Sequence, residues 1–563
     1  MNKKFFFPLL AMAAIFMLPA CSGKLTPLSD QYIKADPQPL EALGGEVPVS
    51  ISAAFPAKWF NKNAIVTVTP VLRYATGETW GTSYTFQGEK VKANNQVVSN
   101  AGGGNATMRS RFEYKPAMKK SELYLTFDAK IKNKIVRLPD IKIADGVLAT
   151  STLADAATAN PAIGADKFQR IIKEAYDENI MFLIQQAELR SSELNKSGLA
   201  EWKNLVENAN QAPNQNVSVE ISAYASPDGG LSLNDALAGR RETNTTNYLN
   251  RELRRRNIDI PIDANYTAQD WEGFRDLVSK SNLQDKELVL RVLSMYTDPA
   301  EREREIKNIS TVFKSLADEI LPQLRRSRLT ANIEIIGKSD AEITALAKDA
   351  AGSLTVEELL YAATLTENEA EKEAIYTKAS TIFANDYRPW NNIGMQRFRA
   401  GDYAKAEEMF NKSNSIRNNS EANINLGLLA LMNGDKAKAQ QLFGSASDVP
   451  ELGEALGLLY LQQGDYARAV SSFAGTKSNN AALAQILTRD YSTAAQTLNA
   501  VKQPDAITDY LKAVVAARTN DATGVVNNMR AAIGKDRALA REAAIDLEFA
   551  KFLSNTSFTD LLR

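Results

Sequence analysis

The period of hydrophobic and polar positions changes twice along the chain. From about residue 45 to 150 it is two: Val47, Val49, Ile51 and Ala53 alternate with other residues, Val66 and Val68 with Thr67 and Thr69, and Leu123, Leu125 and Phe127 with Tyr124 and Thr126. Alternation of this kind predicts half-buried strands. Gly77, Gly81, Gly88 and the run Ala101-Gly102-Gly103-Gly104-Asn105 supply the turns. A β-sandwich over residues 45–150 follows, after a Pro-containing linker over 21–44 with Pro27, Pro37 and Pro39. A second link, rich in Thr, Ala and Asn, runs from Ala149 to Ala162.

Between residues 164 and 338 the two periods alternate. Ile180 to Ile184 and Val217 to Tyr224 read as strands, and Leu329 to Ile335 as a last one. Leu199, Trp202, Leu205 and Val206 mark a helix, and a longer helix runs to about Asn257. This is an α/β module, and residues 265–320, with Trp271, Phe274 and the charged run Glu301-Arg302-Glu303-Arg304-Glu305, read as inserted helices. From about 354 to 555 the period is helical throughout, and a longer repeat lies over it. Gly401-Asp402-Tyr403-Ala404-Lys405-Ala406 returns as Gly434-Asp435-Lys436-Ala437-Lys438-Ala439 and Gly464-Asp465-Tyr466-Ala467-Arg468-Ala469. Weaker copies begin at Arg489-Asp490-Tyr491 and Asn520-Asp521-Ala522, so the aspartates step by 33, 30, 25 and 31 residues.

With Trp390, Ile393, Gly394, Tyr403, Ala406 and Phe410 in the first copy, and Leu426, Gly427, Ala439 and Phe443 in the second, this unit resembles the tetratricopeptide repeat. The resemblance implies an α-α solenoid of paired helices whose small residues let the helices approach and whose large ones fill the space between. It also implies a partner-binding groove on the first helix of each pair. Counting from the glycine, the candidate lining is Met395, Phe398 and Arg399, then Leu428, Leu431 and Met432, then Leu458 and Leu461. A mostly apolar groove suits an apolar or helical segment of a partner protein; packing between successive repeats is the other reading of the same residues.

Composition narrows the function. The 563 residues carry Lys+Arg 66 against Asp+Glu 67, a net charge of -1, which gives no basic surface for nucleic acid. There is no histidine and one cysteine, Cys21. Histidine-dependent nucleophilic relays and the common zinc ligand sets are excluded. No metal or cofactor is expected. An enzyme would have to work through paired carboxylates, for which Asp228 and Asp235 are the candidates, and acids at a helix start are explained as well by the helix dipole.

The cysteine has a position of its own. Lys3 and Lys4 precede an apolar run from Phe5 to Met17, closed by Leu18-Pro19-Ala20-Cys21. This resembles the lipobox of bacterial lipoproteins. Residues 1–20 are then a signal peptide and Cys21 the site of a covalent lipid, the one expected non-protein group. Ser22 after the cysteine implies the outer membrane by the rule of proteobacterial lipoproteins. Residues Gly23 to Pro27 lack the acidic cluster used for surface export in the Bacteroidetes, which favours the periplasmic face.

In the central module, Ala223-Tyr224-Ala225-Ser226-Pro227-Asp228-Gly229-Gly230, then Asn234, Leu237 and Arg240-Arg241, resembles the OmpA-like peptidoglycan-binding domain. Gly229, Asn234, Leu237 and Arg241 fall on the family's glycine, asparagine, leucine and arginine; Ser226 falls on its aspartate. The resemblance implies that Arg241 forks the carboxylate of diaminopimelate in the peptidoglycan stem peptide. Ser226 cannot neutralise the ammonium, and Asp228 is the substitute. The combined expectation is a non-enzymatic outer-membrane lipoprotein that contacts peptidoglycan and gathers envelope proteins on its repeats. The alternative is a surface-exposed lipoprotein that binds host or glycan ligands through the sandwich.

Overall fold

The computed structural model describes residues 25, 27–283, 285–308 and 314–563. The predicted signal peptide and Cys21 lie outside them. The chain forms two compact units: residues 1–165 with 368–563, and residues 166–367.

In the first unit the predicted strands pair into two sheets. One has three strands, Ile33–Asp36, Glu46–Phe55 and Gly104–Glu113, all antiparallel. The other is built on Ala64–Tyr74 against Ser121–Ile131, with Tyr84–Gly88, Gln96–Val98 and Lys134–Arg137 continuing the sheet outward. Ile51, Met108 and Phe112 from the first sheet meet Val66, Phe86, Leu123 and Leu125 from the second in one core. The phenyl rings of Phe55 and Phe86 sit edge to face at 5.3 Å. The predicted linker 21–44 is corrected here. Ile33–Asp36 is an edge strand of the first sheet, Leu40–Glu41 pairs parallel with Val147–Leu148, and Leu25 and Leu28 are buried. Four residues of alternation flanked by prolines are too short a signal to separate from a linker.

The helical half of this unit begins with Glu369–Ile382 and continues as hairpins: Tyr387–Arg399 with Tyr403–Ile416, Ser420–Met432 with Lys436–Gly444, Leu452–Gln463 with Tyr466–Ser472, Asn479–Leu487 with Tyr491–Asn499, and Ala506–Arg518 with Ala522–Lys535. The repeats therefore start near 369, not 354; the helix Val356–Ala362 belongs to the second unit. The Gly-Asp motif makes each corner. Gly401, Gly434 and Gly464 take φ of 77°, 76° and 81°, the left-handed conformation that ends a helix. The next residue, Asp402, Asp435 or Asp465, caps the following helix by accepting from the backbone N–H three residues on. In the degenerate copies Arg489 and Asn520 occupy the left-handed position with φ of 65° and 59°. An arginine there is strained. Arg489→Gly is expected to raise stability by about 0.5–1 kcal/mol in urea denaturation.

The glycines inside the first helices serve packing. A Cβ on Gly394, Gly427 or Gly457 would lie 2.6, 2.2 or 2.7 Å from the ring of Phe410, Phe443 or Phe473. Each phenylalanine is buried against bare backbone.

The second unit is a four-stranded sheet in the order Ile171–Met181, Arg326–Ile336, Gln215–Tyr224, Ile262–Thr267. The first two contacts are antiparallel and the last is parallel. Helices Ser197–Gln211 and Leu231–Arg255 cover one face, where Trp202 and Val206, Leu249 and Leu253 pack on Val219, Ile221 and Ala331. The first strand lies earlier than the predicted Ile180–Ile184, and Leu183 and Ile184 follow its end. Its sequence, Ile171-Ile172-Lys173-Glu174-Ala175-Tyr176-Asp177-Glu178, hides it, because this edge strand is largely exposed on both faces. The inserted helices Trp271–Lys280, Lys286–Met295, Pro299–Asn308 and Leu321–Leu324 have a small core of their own around Phe274, Val278, Val289, Leu293 and Leu324.

Candidate functional site

Two places gather the chemistry. In the second unit the strand Gln215–Tyr224 runs into the turn 225–230 and then into the helix Leu231–Arg255. Asn234, on the first turn of that helix, donates through Nδ2 to the carbonyls of Ser226 and Gly229 at 2.9 and 2.8 Å, so it fastens the turn. Gln269 Nε2 donates to the same Gly229 carbonyl at 2.9 Å. The four predicted contact residues Ser226, Asp228, Asn234 and Arg241 do come together, but their groups are already partnered. Arg241 is 0% exposed. Its Nη1, Nε and Nη2 donate to the carbonyls of Tyr224, Gln186 and Leu183 at 2.7, 2.9 and 3.2 Å, and its guanidinium lies 4.9 Å from the centre of the Phe182 ring. Burial, with Arg325 nearby, pushes its pKa down to about 10; it is still a cation at neutral pH.

Asp228 faces Arg325, whose Nη2 is 3.0 Å from Oδ2, while Ser226 Oγ donates to Oδ1. The inserted helices meet the same turn: Lys307 Nζ donates to the Asp228 carbonyl at 3.2 Å. Pro227, Asp228, Trp271, Phe274, Lys307 and Leu316 line a small cavity of about 10 Å³ between turn and insertion, room for about one water. A carboxylate-forking Arg241 is thus corrected in this structure, since every nitrogen of its guanidinium is engaged with the main chain. The physical reason is burial: a charge with no solvent must be paired or hydrogen-bonded, and three carbonyls do it here.

The second place is the first unit's helical array, and the residue set differs from the predicted one. Met395, Phe398, Leu428, Leu431, Leu458 and Leu461 are at most 2% exposed, and all but Met395 belong to the continuous core of the repeats. Met432 is half-buried and Arg399 is exposed. Leucine-rich first helices pack on their neighbours from nearly every side, so these six side chains fill the array and do not form a free lining. Aspartate at Phe398 or Leu431 would be a folding defect, not a selective loss of partner capture.

What faces the open side is polar, and it holds the chain's own Ala149–Ala165 segment. Asn480 takes the backbone of Asp155 at two points, donating to its carbonyl at 2.9 Å and accepting its N–H at 3.0 Å. Asn425 does the same to Ala162 at 2.8 and 2.6 Å, and Asn392 to Gly164 at 2.9 and 2.8 Å. Asn391 Nδ2 adds a second donor to the Ala162 carbonyl at 2.9 Å. Between these clamps Glu454 Oε2 accepts from Asn160 Nδ2 at 3.1 Å. Burial holds the Glu454 carboxyl above the usual carboxylate range, with Asn160 pulling the other way. Ala156, Ala159 and Ala162 are 2, 6 and 0% exposed and join the repeat core. At Gly164 a Cβ would lie 2.8 Å from the Cβ of Arg388. The predicted link is therefore a buried strap across the first helices of four successive hairpins. Sequence reading missed its receptor, although a signal existed: Asn425, a poor helix former, stands inside an otherwise apolar stretch of helix, and Asn391 and Asn392 stand together inside another helix.

Among the described residues no cluster of His, Cys, Asp and Glu could hold a metal, and no helix is long and apolar enough to cross a membrane. No protein-family model and no curated protein matches the chain. Among solved structures it is similar to a tetratricopeptide repeat protein from Parabacteroides merdae, at 15% identity over 40% of this chain and 90% of that one, with a TM-score of 0.28. It is also similar to pilF of Pseudomonas aeruginosa, at 16% identity over 38% of this chain and 99% of that one, with a TM-score of 0.27. A third similar structure is the APC/C hetero-tetramer Cut9-Hcn1, at 14% identity over 65% and 80% of the two chains, with a TM-score of 0.29.

Proposed function

We propose that the chain is a non-enzymatic scaffold, held at the outer membrane by a lipid on Cys21 and facing the periplasm, which gathers envelope proteins on its helical repeats and touches peptidoglycan with its central unit. The observation that carries the scaffold reading is the helix-hairpin array, whose polar face is built to grip a polypeptide by its main chain. The lipid rests on the Leu18-Pro19-Ala20-Cys21 sequence. It is tested by labelled fatty acid, which wild type should incorporate and Cys21→Ala should not; label in both would remove the anchor.

Support for the peptidoglycan contact is the resemblance of residues 223–249 to the OmpA-like pattern and their strand-turn-helix order. Diaminopimelate would meet Asp228 through its ammonium, and for that it must take the place of Arg325, which now supplies the counter-charge. Arg325→Gln should therefore raise co-sedimentation of the full chain with purified peptidoglycan by about tenfold, and Asp228→Ala should abolish it. Absence of sedimentation in both wild type and Arg325→Gln would reduce the central unit to a spacer or a protein-binding module.

A further inference from the structure

The strap and its receptor make an unequal pair. Residues 155–164 have no strand partner, and the polar needs of Asp155, Ala162 and Gly164 are met by side chains of the array, each reading one N–H and one C=O together. Any residue presents those two groups, so these contacts read the main chain and no particular side chain. Selection enters at the positions that point inward. They are Ala156, Ala159, Pro161 and Ala162: Ala156–Thr158 form one 3-10 turn capped by Asp155, which brings Ala156 and Ala159 to the same side, and from Ala159, with φ of -69° and ψ of 151°, the chain runs extended. Pro161 fits within this run, while Asp155, Thr158 and Asn160 are exposed.

We propose that this polar face is a peptide-binding site, that residues 155–164 occupy it as an exchangeable resident ligand, and that the partner it fits is a polypeptide segment that makes one capped 3-10 turn and then runs extended, with small residues at the places of Ala156, Ala159 and Ala162. The proposal rests on the scaffold reading of the repeats and not on the lipid or the peptidoglycan contact. Two features make exchange a matter of competition. The recognition elements are general ones that a second chain can offer in full. Tethering, in turn, keeps the resident at about millimolar effective concentration, so an incoming segment must outbid it or arrive when it is out. Ala-x-x-Ala-x-Pro-Ala-x-Gly describes the partner as it describes residues 156–164.

The test uses the full chain and two labelled peptides. One copies Leu153–Asp166; the other keeps only the residues at 156, 159, 161, 162 and 164 and replaces the rest by Thr and Gln. Ala156→Asp with Ala159→Asp expels the strap, and this chain should bind both peptides, with wild type about a hundredfold weaker. Adding Asn425→Ala should weaken binding about tenfold. A folded, strap-expelled chain that binds neither peptide overturns the proposal. Hydrogen exchange on wild type is an independent arm, valid even if the expelled variant fails to fold. The amides of Asp155, Ala162 and Gly164 should open while the repeat helices stay protected, and faster with added peptide; opening only with global unfolding overturns exchange. Loss of fatty-acid label with intact peptide binding would strike the anchoring reading alone.

Discussion

Arg241→Ala is expected to destabilise the central unit by about 3–5 kcal/mol, enough to leave much of it unfolded at ambient temperature. The side chain is 0% exposed, and its loss removes the guanidinium donors from the carbonyls of Leu183, Gln186 and Tyr224, of which Leu183 keeps the N–H of Gln186 at 3.2 Å. These carbonyls lie on two separate stretches, the segment after the first strand and the end of the strand Gln215–Tyr224, so the guanidinium is what ties them together. Arg241→Lys keeps the charge but one donor head in place of a fork, and an intermediate loss is expected. Urea denaturation of the full chain, with hydrogen exchange on Gln215–Tyr224 to locate the effect, decides it. A variant as stable as wild type would show that Arg241 is not needed for the fold and would return it to the ligand-binding role.

The second large effect is expected at the glycine-phenylalanine contacts of the repeats. Glycine to alanine inside a helix ordinarily stabilises by about 0.5–1 kcal/mol. At Gly427 the sign should reverse, because the added Cβ would stand 2.2 Å from the Phe443 ring. Neither side can yield cheaply: Phe443 is 2% exposed and the backbone of Ser420–Met432 is packed by the adjoining hairpins. A loss of about 2–3 kcal/mol is expected for Gly427→Ala, and about 1–2 kcal/mol for Phe443→Leu alone. Together they should cost at least about 1 kcal/mol less than the sum, since the smaller side chain vacates the space the methyl needs. Additive losses in the melting of the double variant would mean that the two residues do not share this contact.

The contrast between what was readable and what was not follows from the range of the forces involved. Repeat corners were legible because Gly434 and Asp435 act within three residues of each other, one as a left-handed stop and the other as a cap. The alternation in Glu46–Phe55 and Ser121–Ile131 was legible for the same reason: a pleated strand displays its buried face in its own sequence. The strap was not, because its apolar content is three methyl groups and its hydrogen bonds arrive from residues 228 to 325 positions away. Arg241 stood out in the sequence, but its burial did not. A buried arginine and a ligand-facing one look alike on a helix, and only the carbonyls converging from Leu183 and Gln186 tell them apart.

The strap also makes a fixed ruler. Asp155 sits on the fourth hairpin and Gly164 on the first, so the segment runs against the order of the repeats. Between these two clamps the path is one 3-10 turn, Ala156–Thr158, followed by extended chain. One inserted or deleted residue between the clamps would carry every later methyl off its register, whereas an exchange at Thr158 or Asn160 would cost only the side-chain bond to Asn480 or Glu454. Length, more than identity, is what this stretch of chain has to preserve.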